Sequence, residues 1–412
     1  MYKTFFYHKE FLKKFTETIP SALFNCRLHL REILTFVSMR QKRVYMTVSS
    51  DLATDNRVHR TCTVLEGLGF QILLIGRKKK NSPPMPPRSY QVKRLRLGFE
   101  KGALFYAALN LRLFILLLIN PYDYLFANDL DTLPAAYLAS RLKRKPLLYD
   151  SHELFTEVPE LVSRPRIQHF WLKIEQRILP HLKEMITVNE SIAAIFKSTY
   201  SIPVNVVRNV PQRQEQLNAL SREELNLKPT QKMLIIQGSG LNVQRGIEEA
   251  ILAMELIDDA VLFLVGDGDV IPSVKKIVAT KNLQEKVRFV GRLPYEQLLQ
   301  YTAAADLGLA LDKPLSLNYA LALPNKVFDY IQAQTPIVTS PLVEIQKLID
   351  RYDCGEVIQE VSPEALAQKI NALCSNPERL AILKENCKKA AAVEHWDADK
   401  KVLAEVVGRV FI

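Results

Sequence analysis

The sequence predicts an α/β protein made of two Rossmann-like, doubly wound domains that face a cleft. Three observations predict it. At 412 residues and 48% hydrophobic content, the chain has material for two cores. Short apolar runs without strict alternation recur between helix-length stretches, the pattern of parallel strands buried on both faces. The whole series occurs twice, on either side of a polar stretch at 212–231.

The first series places strands at 44–48, 71–75, 122–127, 146–149, 184–188 and 204–207, with helices at 56–67, 102–118, 132–142, 168–182 and 191–199. Asp55 stands where an N-cap belongs, one residue before the first of these helices. The proline-rich run SPPMPP at 82–87 reads as a surface loop. The polar stretch 212–231 reads as a connection with one short helix. The second series places strands at 232–237, 261–265, 287–290, 306–310, 336–339 and 355–358. Its helices are expected at 245–256, 295–304, 325–332, 363–374 and 377–391, the last two opening on Pro363 and Pro377. The expected organisation is thus an extension at 1–40, a first domain at 41–211, a second at 212–392, and a final helix within 393–412.

Residues 1–40 read differently from the rest. They are rich in Phe, Leu, Lys and Arg, with a periodicity suited to one or two amphipathic helices. Two readings stay open: a basic element for a membrane surface, or sequence upstream of a start at Met39. The formal net charge is +11, and the basic residues concentrate in the first 45 residues and at 77–101. That balance suits nucleic acid, an anionic membrane or a phosphorylated substrate. The five cysteines, Cys26, Cys62, Cys354, Cys374 and Cys387, form no C-x-x-C pair, which argues against a disulfide framework or a zinc site and for a reducing cytoplasm. No cleavable signal peptide is evident. The most apolar run, LFILLLI at 113–119, is too short to span a bilayer and reads as the buried end of a helix from about Gly102.

Five polar segments follow strands, where ligands of such sheets sit. SSDLATDNRV (49–58) is a capped helix start with a surface arginine, or a loop facing phosphate or acceptor. NDLDTL (128–133) carries a D-x-D, a pattern that can hold Mg²⁺ or Mn²⁺; without further acidic company, Asp131 reads better as a helix cap, with Asn128 and Asp129 facing the cleft. YDSHE (149–153) brings His152 and Glu153 to the cleft edge, where His152 can move a proton or bind hydroxyls. GSGLNVQRG (238–246) lets backbone approach a phosphate at Gly240 and offers the Arg245 fork. LPNKVFDY (323–330) starts a helix after Pro324; Asn325, Lys326 and free amides can cradle a diphosphate, while Asp329 can accept from ribose hydroxyls. A second D-x-D, Asp267–Asp269, follows Gly266.

Taken together, these segments resemble the GT-B-fold glycosyltransferases of family 4, in the bacterial polysaccharide-biosynthesis branch. The resemblance rests on TDNRV (54–58), NDLDTLPA (128–135), YDSHELFTEVPEL (149–161), TVNESIA (187–193), VRNVP (207–211), Arg245-Gly246, VGDGD (265–269) and LPNKVFDYI (323–331), in family order. It implies acceptor recognition in the first domain and a nucleotide-sugar in the second. It also implies a retaining, hexosyltransferase-type reaction without metal or separate cofactor. The implied donor residues are Gly240, Arg245, Gly266, Asn325, Lys326 and Asp329; Asn128, Asp129, His152 and Glu153 are the implied catalytic side. The final helix, after His395-Trp396, is implied to cross back onto the first domain. Three departures from the family pattern stand out: Leu321 and Asp329 replace a pair of glutamates, Asn128 stands where His is frequent, and Gln334 replaces a glycine after the helix. The expected partners are a nucleotide-sugar, a glycan or lipid-linked oligosaccharide acceptor, and an anionic membrane surface at the cytoplasmic face, met through Lys78–Lys80, Arg94, Arg96 and residues 1–40. Nucleic acid is not among them. A nucleotide-sugar epimerase and a catalytically silent nucleotide-sugar-binding subunit are the alternatives.

Overall fold

A computed structural model describes residues 41–412 except Ser239. The helices expected within residues 1–40, and Cys26, lie outside the described residues. The first half runs β1 (Arg43–Asp51), α1 (Asn56–Gly67), β2 (Gln71–Arg77), β3 (Gln91–Leu95), α2 (Gly102–Ile119), β4 (Tyr124–Asn128), α3 (Leu133–Lys143), β5 (Leu147–Ser151), α4 (Pro159–Val162), α5 (Pro165–Ile178), β6 (Met185–Thr187), α6 (Glu190–Tyr200) and β7 (Val204–Val206). Its seven strands are parallel in the order β3-β2-β1-β4-β5-β6-β7.

The second half runs β8 (Lys232–Gly238), α7 (Ile247–Ala253), β9 (Ala260–Gly266), α8 (Ile271–Thr280), β10 (Val287–Gly291), α9 (Tyr295–Ala304), β11 (Leu307–Ala310), α10 (Leu317–Ala320), α11 (Asn325–Gln332), β12 (Ile337–Thr339), α12 (Val343–Tyr352), β13 (Gly355–Val357), α13 (Pro363–Cys374), α14 (Pro377–Ala391) and α15 (Trp396–Phe411). Its six parallel strands are ordered β10-β9-β8-β11-β12-β13. Both sheets are doubly wound, and each reverses strand order once: between β1 and β4, and between β8 and β11. Those two switch points are where such sheets open a crevice.

Local chemistry explains most boundaries. Asp55 caps α1 by accepting from the Val58 amide at 3.0 Å. Pro363 and Pro377 open α13 and α14. Gly238 and Gly266 pair across β8 and β9, and a Cβ on Gly266 would collide with the Gly238 carbonyl. Gln334 takes φ 57°, the left-handed backbone expected where a glycine would otherwise stand.

Several expectations need correction. The strand β3 and the helices α8 and α12 were not anticipated; β3 is an edge strand of sequence QVKRL, with no apolar run to announce it. The connection 212–231 contains turns and no helix, and it is held by burial of Leu225 and Leu227. The helix expected at 245 starts at Ile247, because Gln244 and Gly246 both sit at φ 69°. The run 113–119 is not simply a buried helix end. Leu113, Leu116 and Leu117 are buried, but Ile115 and Ile119 are exposed.

The last helix, α15, packs back on α1, β5 and β7 of the first half. Phe411 stacks on Tyr124 with centroids 4.6 Å apart and meets the edge of Phe70. Arg409 bonds Glu184 at 2.7 Å, and the Trp396 amide donates to the Pro211 carbonyl.

Candidate active site

A cavity of about 610 Å³ lies between the two sheets' carboxyl ends. Its first-half wall comes from the loop after β1, the end of β5 and the start of α6. Its second-half wall comes from Arg245, Asp312 and the segment leading into α11.

The first-half wall is organised by charge. Arg57 is buried and not the surface arginine that its sequence also allowed. Its guanidinium grips Asp150 at 2.7 and 3.2 Å and donates to the Val207 carbonyl. His152 sits between two carboxylates: Nδ1 is 3.1 Å from Asp129 and Nε2 is 3.3 Å from Asp150. Burial works against a charged imidazole here, but the two carboxylates outweigh it and push His152 up to about 10. Burial likewise opposes the Asp150 carboxylate, yet Arg57 and His152 hold it well below the usual range. The imidazole is thus held between two carboxylates that favour its charged form.

Asp129, at φ 60°, accepts from both the His152 amide and its ring. Asn128 does not face the cleft. It is fully buried and donates to the Thr47 carbonyl at 3.0 Å. Asp131 is not the cap of α3 either; the N-cap is Thr132, and its side chain makes no capping bond. Asp131 lies buried, and burial together with the Asp129 charge pushes its carboxyl up to about 7. Glu153 lines the cavity, as do Asp55 and Asp312. Burial and Asp129 push Glu153 up to about 7, against the pull of a hydrogen bond from Asn318 at 3.2 Å.

The second-half wall gathers two cations on one carboxylate. Arg245 lies 3.1 Å and Lys326 2.7 Å from opposite oxygens of Asp312, which follows β11 at the switch point. Arg245 and Asn325 line the cavity, beside Pro324 at the start of α11. One turn further, Asp329 accepts from Tyr295 Oη at 2.8 Å and Gln237 Nε2 at 3.1 Å. Burial raises Asp329 to about 6, against those two bonds and the charge of Arg60. The glycines act mainly by absence of bulk. Gly266 permits close approach of two strands, whereas a Cβ on Gly240 would meet only the Asn242 side chain, at 3.4 Å. Asp267 and Asp269, the second D-x-D, part company: Asp267 is 3.5 Å from Arg292, and Asp269 accepts from the Val243 amide.

Three residues, Asn318, Asn189 and Arg208, tie the two walls together, and Asp312 braces the second wall alone; the sequence singles out none of the four. Asn318 accepts from the Leu154 amide at 2.9 Å while donating to Glu153. Asn189 donates to the Leu321 carbonyl at 2.8 Å, so Leu321, where the family carries glutamate, contributes backbone to this contact. Arg208 lines the cavity and binds Asp399 and Glu394 at the entry to α15. Asp312 follows a strand, a position that could have announced it. Asn318 lies in a one-turn helix with no such signal.

Comparison with known proteins agrees with this architecture. Residues 55–211 match the family described as Glycosyltransferase Family 4, and residues 219–390 match Glycosyl transferases group 1. No curated protein matches the sequence. Among solved structures, sucrose-phosphate synthase from Thermosynechococcus elongatus superposes with TM-score 0.73 at 17% identity, covering 90% of this chain and 99% of its own. Anabaena HepE in complex with UDP-glucose gives TM-score 0.68 at 16% identity, covering 89% and 99%. WaaG, a glycosyltransferase involved in lipopolysaccharide biosynthesis, gives 0.65 at 16%, covering 88% and 99%. Two contiguous family matches, on two facing doubly wound sheets, establish that the chain belongs to the GT-B glycosyltransferases of family 4 type.

Proposed function

We propose that this enzyme transfers a hexosyl group from a nucleotide-sugar to a glycan or lipid-linked oligosaccharide, with retention and without a metal ion. The observation that carries this reading is the convergence of Arg245 and Lys326 on Asp312 at the second sheet's switch point, beside the first turn of α11. Two preorganised cations and free helix amides suit a leaving diphosphate. The solved structures of HepE with UDP-glucose and with UDP support a nucleotide-sugar as the donor. A diphosphate arriving here displaces Asp312 from one or both cations.

The acceptor hydroxyl enters from the first-half wall, where Glu153 and Asp55 line the cavity. His152 offers fixed positive charge rather than a mobile proton. The acceptor proton passes to the departing diphosphate oxygen, so the protein supplies position and charge. Against a metal stands the use of the D-x-D: Asp129 is occupied by His152, and Asp131 turns into the interior. Four described cysteines, Cys62, Cys354, Cys374 and Cys387, are free, which suits a reducing cytoplasm.

The test is to incubate the protein with nucleotide-sugars and oligosaccharide acceptors and follow the product by NMR. The expected product keeps the donor's anomeric configuration, and turnover persists in chelator. An inverted product, or activity abolished by chelator, contradicts the mechanism. Conversion of the donor to an epimeric nucleotide-sugar without acceptor identifies an epimerase, whereas slow release of free sugar is donor hydrolysis. Donor binding without nucleotide release identifies a silent subunit.

A further inference from the structure

One layer of the first half faces outward with an unusual surface. Helices α2, α3 and α5 cover the same side of the sheet and share one core. Along α2 the exposed positions are apolar almost throughout. Leu104, Leu111, Ile115 and Ile119 are 61, 60, 49 and 75% exposed, and Leu138 and Leu142 continue the surface on α3 at 53 and 66%. By length and composition alone α2 could cross a membrane, with mean hydropathy 2.0 over its 18 residues. It does not need to. Its opposite side, Leu109, Leu113, Leu116 and Leu117, is part of the protein core. A helix buried on one side and apolar on the other lies along an interface.

Charge identifies what it meets. Arg112, Arg141, Arg144, Arg166 and Lys173 stand exposed on or beside these helices. Within these helices no exposed carboxylate accompanies them: α2 and α3 contain no acidic residue, and the one in α5, Glu175, is buried against Tyr200, while Glu100 and Glu160 stand exposed just outside, before α2 and α5. An apolar strip on which five exposed cations outnumber the two flanking carboxylates matches an anionic bilayer, in which the leucines enter the acyl boundary and the arginines meet headgroups. The same charge disfavours a second copy of the face. It also disfavours residues 1–40, which carry more basic than acidic residues. By contrast Arg94, expected from sequence to meet lipid, is paired with Asp51 at 2.9 Å and mostly buried.

We propose that the α2–α3–α5 face docks the enzyme on an anionic lipid bilayer. The reading does not depend on the donor assignment, since binding to lipid is measured without catalysis. The experiment is co-sedimentation of the full chain with phosphatidylcholine vesicles, with and without phosphatidylglycerol. It compares wild type with Leu111→Gln/Ile115→Gln and with Arg112→Gln/Arg141→Gln, each checked for an unchanged melting temperature. Wild type should bind only the anionic vesicles. Each double variant should partition about tenfold more weakly, and the arginine variant should lose most of the salt dependence. Three results overturn the proposal: no wild-type binding, binding unchanged in both variants, or a wild-type dimer that the leucine variant dissolves in the absence of lipid. The second result would move lipid contact to another surface, residues 1–40 included; the third would make the face a contact between copies.

Discussion

His152 and Glu153 are adjacent in the chain and opposite in chemistry. Asp129 and Asp150 favour the charged form of His152, whereas burial and the Asp129 charge push the Glu153 carboxyl up to about 7. Folding therefore favours the protonated Glu153 carboxyl. Its contribution to stability is complete below about pH 4.5 and is lost as pH rises through about 7. Replacing Glu153 with Gln removes that loss. Between about pH 5 and pH 8, unfolding free energies should move in the variant's favour by about 1–3 kcal/mol. A difference between variant and wild type that does not change with pH contradicts the environment assigned to Glu153. The buried pair Arg57–Asp150 leads to a second prediction. Arg57→Ala leaves a carboxylate buried without its partner and should cost about 3–5 kcal/mol in chemical denaturation. A surface-like cost under about 0.5 kcal/mol would contradict the geometry. Both residues of that pair stood in motifs legible from the sequence, TDNRV and YDSHE, but their contact did not. Nothing in a linear chain announces a bond across 93 positions.

At the scale of elements, the switch points decide which loops meet. The segments after β1, β4, β5 and β8 are legible because each follows an apolar run and gathers polar residues. The edge strand β3 and the turns at 212–231 were not, since their few buried residues leave no periodic trace. Likewise α10 is a single turn whose value lies in Asn318 reaching the Leu154 amide in the other half. The crossing helix α15 is the clearest structural link. Phe411 fills the space between Tyr124 and Phe70, so Phe411→Ala should open a cavity costing about 3 kcal/mol or more. Thermal melting checks it; an unchanged midpoint would mean that α15 does not hold the first half in this way.

For the whole molecule, the paired sheets and the order of motifs were readable in advance. What the sequence withheld was how charge is shared once the halves meet: Asp312 between two cations, His152 between two carboxylates, and Asn128 drawn into the interior. These arise from approach in three dimensions, and at His152 neighbouring charge then outweighs burial. The same cleft gives the account its most direct test. Isothermal titration with UDP, GDP, ADP and dTDP should find one well-bound nucleoside diphosphate. Its affinity should fall by about tenfold or more in Arg245→Ala and in Lys326→Ala, each removing a charge-assisted contact. Unchanged affinity in both folded variants would contradict the claim that these two cations hold the donor diphosphate.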